Sequence, residues 1–116
     1  MPEGGFPVAV IGGVPVVAAP EEIDMTNSGG LLAALLDAPG NGHKRLVVDM
    51  TRTRFCDSSG IHVLAATHRR TRHEGRQLLL VISDTAVLRA FAIVGIDQMI
   101  PIFPSVADAF RHADVD

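Results

Sequence analysis

A chain of 116 residues, 47 % of them apolar and with a net charge of −3, has the size of one domain and too much apolar content for disorder. The negative balance excludes a whole-protein electrostatic binder of nucleic acid, and a single cysteine excludes an internal disulfide and fits a reducing compartment. The start of the chain shows no basic segment followed by an apolar core, and no apolar run approaches a membrane span; the expected location is the cytoplasm, with neither membrane nor nucleic acid as partner.

In chain order, residues 6–11 are apolar and β-branched and predict a first strand, followed by the turn signal Gly12-Gly13. Residues 14–19 predict a second strand, in which Pro15 implies an edge position or the start of the strand. Pro20-Glu21-Glu22 ends it. Leu31, Leu32, Leu35 and Leu36 follow a helical rhythm, with Asp24 or Asn27 as the cap and Pro39-Gly40-Asn41-Gly42 as the closing loop. Leu46-Val47-Val48-Asp49-Met50 is an apolar run without early alternation, which suits a central strand covered on both faces. A helix then starts at Asp57 or Ser58, presents Ile61, Leu64, Ala65 and His68, and ends at Glu74-Gly75 with glycine as its stop. Residues 77–82 predict a second buried strand. Ser83-Asp84 caps a helix carrying Val87, Leu88, Phe91 and Ala92, terminated by Gly95. Residues 99–103, with Pro101 inside, predict a last edge strand, and Pro104-Ser105 starts a final helix with Val106, Ala109 and Phe110 on one side. The order β-β-α-β-α-β-α-β-α implies a mostly parallel sheet with an antiparallel opening pair.

The most informative constellation is Asp57-Ser58-Ser59. It reads either as a plain helix cap or as the site of a regulated phosphoserine. Unpaired amides and the helix dipole favour an anion at that position. A phosphate brings roughly −1.5 to −2 charges, close to Asp57 and, if the strand ends cluster, to Asp24 and Asp49. Two unit charges about 4 Å apart interact by about 4 kcal/mol at an effective dielectric near 20, and about 1.4 kcal/mol is tenfold in affinity. A phosphate there can repel a partner carrying a carboxylate without any refolding.

Other constellations carry less. Cys56 reads as a small apolar side chain before the cap, although a helix start can also activate a thiol. Ser58 as a catalytic nucleophile lacks the Gly-x-Ser-x-Gly pattern and a placed histidine. Asp49 as a receiver-type phosphoacceptor lacks the second acidic pair and the lysine after the last strand. The histidines at 43, 62, 68, 73 and 112 form no metal-ligand spacing, and no phosphate-binding glycine motif is present, so no metal or cofactor is expected. The run His68-Arg69-Arg70-Thr71-Arg72-His73-Glu74-Gly75-Arg76 reads as a solvated basic helix end or as a patch for an acidic partner.

Leu46-Val47-Val48-Asp49-Met50 followed by Phe55-Cys56-Asp57-Ser58-Ser59-Gly60-Ile61 resembles the signature of the STAS domain, named for sulphate transporters and anti-sigma-factor antagonists. Glu22-Ile23-Asp24, Val87-Leu88-Arg89-Ala90-Phe91 with Val94-Gly95-Ile96, and Ile102-Phe103-Pro104-Ser105-Val106-Ala107-Asp108-Ala109 resemble further segments of that family. The resemblance implies one STAS domain over residues 1–116, with its core at about 6–112. The expected fold is α/β: a mixed, mostly parallel five-stranded sheet with about four helices and no catalytic activity. It further implies an anti-sigma-factor antagonist whose partner is an anti-sigma factor that is also a serine kinase. Phosphorylation at Ser58 releases that kinase, a serine phosphatase reverses the mark, and sigma-factor-dependent transcription follows. Asp24, Asp57, Ser58, Ser59, Gly60 and His62 are the expected partner-binding residues, in a monomer or weak homodimer. A non-phosphorylated scaffold in a signalling or lipid-transport complex is the alternative. Two residues depart from the family pattern: Glu21 replaces a glycine, and His62 stands where a small residue is frequent.

Overall fold

The computed structural model describes residues 6–38 and 44–115, with side chains up to Arg111. The loop expected at 39–42 and the ring of His112 lie outside the described parts. The elements are β1 (Val8–Ile11), β2 (Val14–Ala18), β3 (Glu22–Ile23), α1 (Ser28–Asp37), β4 (Arg45–Met50), β5 (Phe55–Cys56), α2 (Ser58–His73), β6 (Gln77–Ile82), α3 (Thr85–Val94), α4 (Ile96–Met99), β7 (Ile102–Phe103) and α5 (Val106–Val115).

The two apolar runs lie side by side in the sheet. β4 and β6 pair in parallel over their full length, from Arg45 opposite Gln77 to Met50 opposite Ile82. They occupy the inside of a five-stranded sheet of order β1-β2-β4-β6-β7. Both faces are covered, as expected for runs without alternation. Leu46, Val48, Met50, Leu78, Leu80 and Ile82 point to one face and pack with Leu31, Leu64, Phe91 and Ile96 from α1 to α4. Val47, Leu79 and Val81 point to the other, where Ala109, Val106 and Phe110 of α5 cover them. The period-2 alternation of a strand thus divides one run between two layers.

The opening hairpin is antiparallel, with Ile11 opposite Val14. Gly12 and Gly13 both take positive φ, at 58° and 85°, which a tight turn matched to strand twist requires. β2 is not an edge; β1 is. Pro15 is accommodated because it stands at the start of β2. The β2–β4 ladder begins one residue later, at Val16 opposite Val47. The amide of Ala19 donates to Asp49, and strand alternation puts the proline nitrogen on that same side, before the ladder needs a donor.

Several expectations need correction. Residues 22–23 and 55–56 form a separate two-stranded parallel pair, Glu22 opposite Phe55 and Ile23 opposite Cys56, where the sequence predicts no strand. Residues 96–99 are a helical turn, leaving only Ile102–Phe103 as the edge strand on β6. Gly95, at φ 84°, both ends α3 and begins α4. Among the described residues there are five helices, the fourth a single turn. The buried face of α2 is Gly60, Val63, Leu64, Thr67 and Thr71, rotated from the predicted Ile61, Leu64, Ala65 and His68. Two threonines can face the core because their hydroxyls donate back to the helix, Thr67 to the Val63 carbonyl and Thr71 to that of His68. Asn27 takes the N-cap position of α1, but its side chain turns away from the helix. It accepts from the Asp24 amide and donates to the Glu22 carbonyl. The other caps are as predicted: Asp84 accepts from the Val87 amide, and Gly75 takes φ 74° just beyond α2.

Candidate functional site

The small β3–β5 pair positions the start of α2. The Asp57 amide donates to the Ile23 carbonyl at 3.0 Å, and the Arg54 amide to the Glu21 carbonyl at 2.8 Å. The buried Thr53 hydroxyl reaches the Pro20 carbonyl at 2.8 Å. The segments before β3 and before α2 are thus bonded together, and the loop 24–26 lies against the first turn of the helix. Gly60 shows how closely: a Cβ there would stand 2.5 Å from Cys56 Sγ and 2.6 Å from Ile23 Cγ2. No larger residue fits without displacement.

Asp57 caps the helix. One carboxylate oxygen accepts from the Ser59 amide at 2.9 Å, the Gly60 amide at 3.3 Å and the Ser59 hydroxyl at 2.5 Å. The Ser59 hydroxyl, together with the amides of Gly60, Ser59 and Met25, holds the carboxyl below its ordinary value of 3.8 against a desolvation that pushes it up. The sequence predicts both serine hydroxyls facing solvent. Ser59 is half-buried and its hydroxyl is bound to Asp57. Ser58, the first residue of the 16-residue helix, is exposed. Its hydroxyl makes no hydrogen bond among the described residues.

Asp24 is brought to the same neighbourhood, since the amide of the next residue, Met25, supports the Asp57 carboxylate. The Asp24 carboxylate is itself tied to the Thr26 amide and hydroxyl, at 2.9 and 2.5 Å. Asp49, next to last in β4, makes the same kind of contact, accepting from the Thr51 amide and hydroxyl at 3.0 and 2.8 Å. His62 is exposed one turn along α2 from Ser58, and Gly60 is buried beneath it, facing β5. Gly60 is thus placed against Cys56 and Ile23 and away from solvent.

Two residues of this region escape the sequence reading. Met25 is 81 % exposed and Phe55 is 52 % exposed. A lone apolar residue in a polar loop gives no periodic signal; the hint is only that large apolar side chains stand where no core element is predicted. Cys56 lies behind them, half-buried, with its thiol directed to the Asp57 carbonyl at 3.7 Å. Burial, then the Asp57 charge, pushes its pKa up to about 12, which opposes the activated-thiol reading. Among the described residues no group of His, Cys, Asp or Glu could hold a metal ion.

The fold agrees with a comparison against known families. The family model for the STAS domain matches residues 6–109. The chain belongs to the STAS domain family. Its similarity extends to the anti-sigma-F factor antagonist RsfB of Mycobacterium tuberculosis, 26 % identical over 102 residues, which cover 88 % of this chain and 83 % of that protein. Among solved structures, an anti-sigma factor antagonist from Mycobacterium paratuberculosis superposes with a TM-score of 0.83 at 29 % identity, covering 92 % of this chain and 91 % of the other. The fold is also that of the Bacillus cell fate determinant SpoIIAA, at 15 % identity. Its unphosphorylated form gives a TM-score of 0.76, covering 97 % of this chain and 98 % of SpoIIAA. Its phosphorylated form gives 0.67. In this STAS domain no helix among the described residues is long and apolar enough to cross a membrane.

Proposed function

We propose that this chain is a single-domain anti-sigma-factor antagonist, a binding switch without catalysis of its own. In this reading the unmodified surface around Ser58 holds an anti-sigma factor that is also a serine kinase. Phosphorylation of Ser58 releases that partner, and a serine phosphatase restores binding. The observation that carries the reading is the contrast between two adjacent hydroxyls. That of Ser58 is exposed and unbonded at a helix start, whereas that of Ser59 is held by Asp57. A phosphate on Ser58 would stand at the positive end of the α2 dipole, which favours an anion. The names of the similar proteins, anti-sigma factor antagonists in two mycobacteria, support the partner class.

The surface has the composition of a docking site. Exposed Met25 and Phe55 supply apolar contact, and Asp24, Asp57, Ser58 and His62 supply the polar rim. A dianion placed among Asp24 and Asp57 would turn a mildly acidic patch into a strongly repulsive one for a partner with its own carboxylate there.

The test is incubation with the cognate kinase and ATP, followed by peptide mass spectrometry. One phosphate on Ser58, lost in Ser58→Ala, is the expected result. In titrations of the kinase, Ser58→Ala keeps the affinity of the unmodified chain and Ser58→Asp lowers it at least tenfold. Equal affinities for these two variants would refute the charge mechanism, and a mark on Ser59 would refute the assignment of the acceptor.

A further inference from the structure

The two edges of the five-stranded sheet differ. β7 forms one of them, two residues long and flanked by Pro101 and Pro104. Short length and prolines close an edge to a further strand. β1 forms the other, and among the described residues it pairs only with β2. Its four residues are all exposed and apolar, with Val8 at 39 %, Val10 at 52 % and Ile11 at 45 %. No charged residue occurs between Phe6 and Pro20. The edge therefore lacks the lysines and inward-pointing charges that usually blunt such a strand.

The register fixes what this edge offers. Opposed residues of an antiparallel ladder alternate between pairs that exchange hydrogen bonds and pairs that do not. The Ala18 amide donates to the Pro7 carbonyl at 2.8 Å, which puts Pro7 and Ala18 among the bonded pairs. Ala9 with Val16 and Ile11 with Val14 follow in the same phase. Val8 opposite Val17 and Val10 opposite Pro15 fall between them. Pro15, which has no amide hydrogen, stands in one of these unbonded places, in keeping with that phase. The N–H and C=O groups of Val8 and Val10 thus point away from β2. Among the described residues they have no partner.

We propose that β1 is the seam of a closed, twofold homodimer in which the β1 strands of two copies run antiparallel. Outward groups two residues apart match themselves when the axis passes through Ala9. Val8 of each copy then exchanges both its bonds with Val10 of the other. The small Ala9 stands on the axis, where the two backbones come closest. Ile11 falls opposite Pro7, at a place that asks no donor of the proline. Val8 and Val10 of both copies cover one face of the seam, and Ile11 lies on the other. A second copy brings this match with it and adds no charge to the seam; a foreign strand would have to supply both. Because β7 is closed, β1 does not join β7 of a next copy into an open chain, and association stops at two. The seam uses none of the residues around Ser58. Four residues a side make a small interface, so the dimer is weak and concentration-dependent.

Analytical ultracentrifugation of the full chain from about 10 µM to about 1 mM tests this, with amide hydrogen exchange measured at both ends of that range. A reversible monomer–dimer equilibrium is expected. Exchange at Val8 and Val10 slows as concentration rises, while Ala9 and Ile11, already bonded to β2, are unchanged. Val10→Pro removes an outward donor that β2 does not use, and weakens the dimer by about tenfold or more. Val10→Lys puts a charge on the seam and has the same effect. Ile93→Lys, at an exposed position of α3, leaves the equilibrium unchanged. A circular dichroism melt of each variant separates loss of the seam from loss of the fold. The proposal is overturned if the chain is monomeric throughout, or if folded Val10→Pro and Val10→Lys dimerise like the parent. It is equally overturned if a dimer forms without added protection at Val8 and Val10. A monomer in which those two amides become protected only on adding the anti-sigma kinase would give the edge to that partner instead.

Discussion

Gly60→Ala is the most direct probe of how the site is built. An alanine usually favours a helix over glycine by about 0.5–1 kcal/mol, so on helix propensity alone the substitution should stabilise α2. The packing predicts the opposite. The new methyl would lie 2.5 Å from Cys56 Sγ and 2.6 Å from Ile23 Cγ2. Ile23 is fully buried and β-branched, and its strand is bonded to the start of the helix, so it has little room to yield. Overpacking of this kind costs roughly 1–3 kcal/mol. Set against the propensity gain, the net loss is about 1–2 kcal/mol, a fall in Tm of roughly 4–8 °C for a chain of this size. The chain has no Trp and no Tyr, so circular dichroism at 222 nm is the suitable probe for thermal and urea melts. The same substitution on a Cys56→Ala background should cost less, since one of the two close contacts is gone. A Tm equal to or above that of the parent, or an identical loss on both backgrounds, would refute the packing argument.

Three further outcomes follow from the same geometry. Asp57→Asn keeps an acceptor for the Ser59 and Gly60 amides but removes the charge, so it melts below the parent at pH 7, and Asp57→Ala melts lower still. The folded pKa of Asp57 lies below 3.8, so its contribution is complete above that value and is lost as pH falls through the depressed one. Parent and Asp57→Asn should therefore converge on acidification to pH 3 and below, and a gap that is constant from pH 7 to pH 2.5 would contradict the assignment. Cys56, with its pKa raised from 9.0 to about 12, should react with iodoacetamide at pH 8 about a thousandfold more slowly in the folded protein than in urea, because thiolate is the reacting species. The sign for stability is the reverse of that for Asp57: the folded state holds the thiol proton more tightly, so stability is full below pH 9 and declines as pH rises toward 12.

What the sequence discloses depends on how local the determinant is. The strands at 46–50 and 77–82 are legible because unbroken apolar runs need cover on both faces. The caps at Asp57 and Asp84 are legible because one side chain acts on amides two or three residues away. β3 and β5 are not legible, since each has two residues and exists only through pairing with the other across more than thirty positions. The buried face of α2 is not legible, because hydrophobic periodicity does not count threonine, and Thr67 and Thr71 are buried with their hydroxyls bonded to their own helix. In the site, Ser58 is legible from Asp57-Ser58-Ser59-Gly60. The separation of Ser58 from Ser59 is not, because it depends on which hydroxyl the Asp57 carboxylate captures.

That capture also bears on how a switch at Ser58 would work. The first turn of α2 is fixed from below by Gly60 against Ile23 and Cys56 and from the side by the Asp57 carboxylate. A negative group on the first residue of a helix is favourable by roughly 0.3–1 kcal/mol, which is small beside the packing that holds the turn. A phosphate on Ser58 would then neither melt the helix nor displace β3. The free energy of the modification would be expressed outside the chain, as repulsion and lost contact at whatever docks over Met25, Phe55 and His62. Backbone amide shifts on phosphorylation, or in Ser58→Asp, should accordingly be confined to the first turn of α2 and the 24–26 loop. Shifts spreading into β4 or β6 would show that the mark is read by a change of shape, and the electrostatic account would give way to a conformational one.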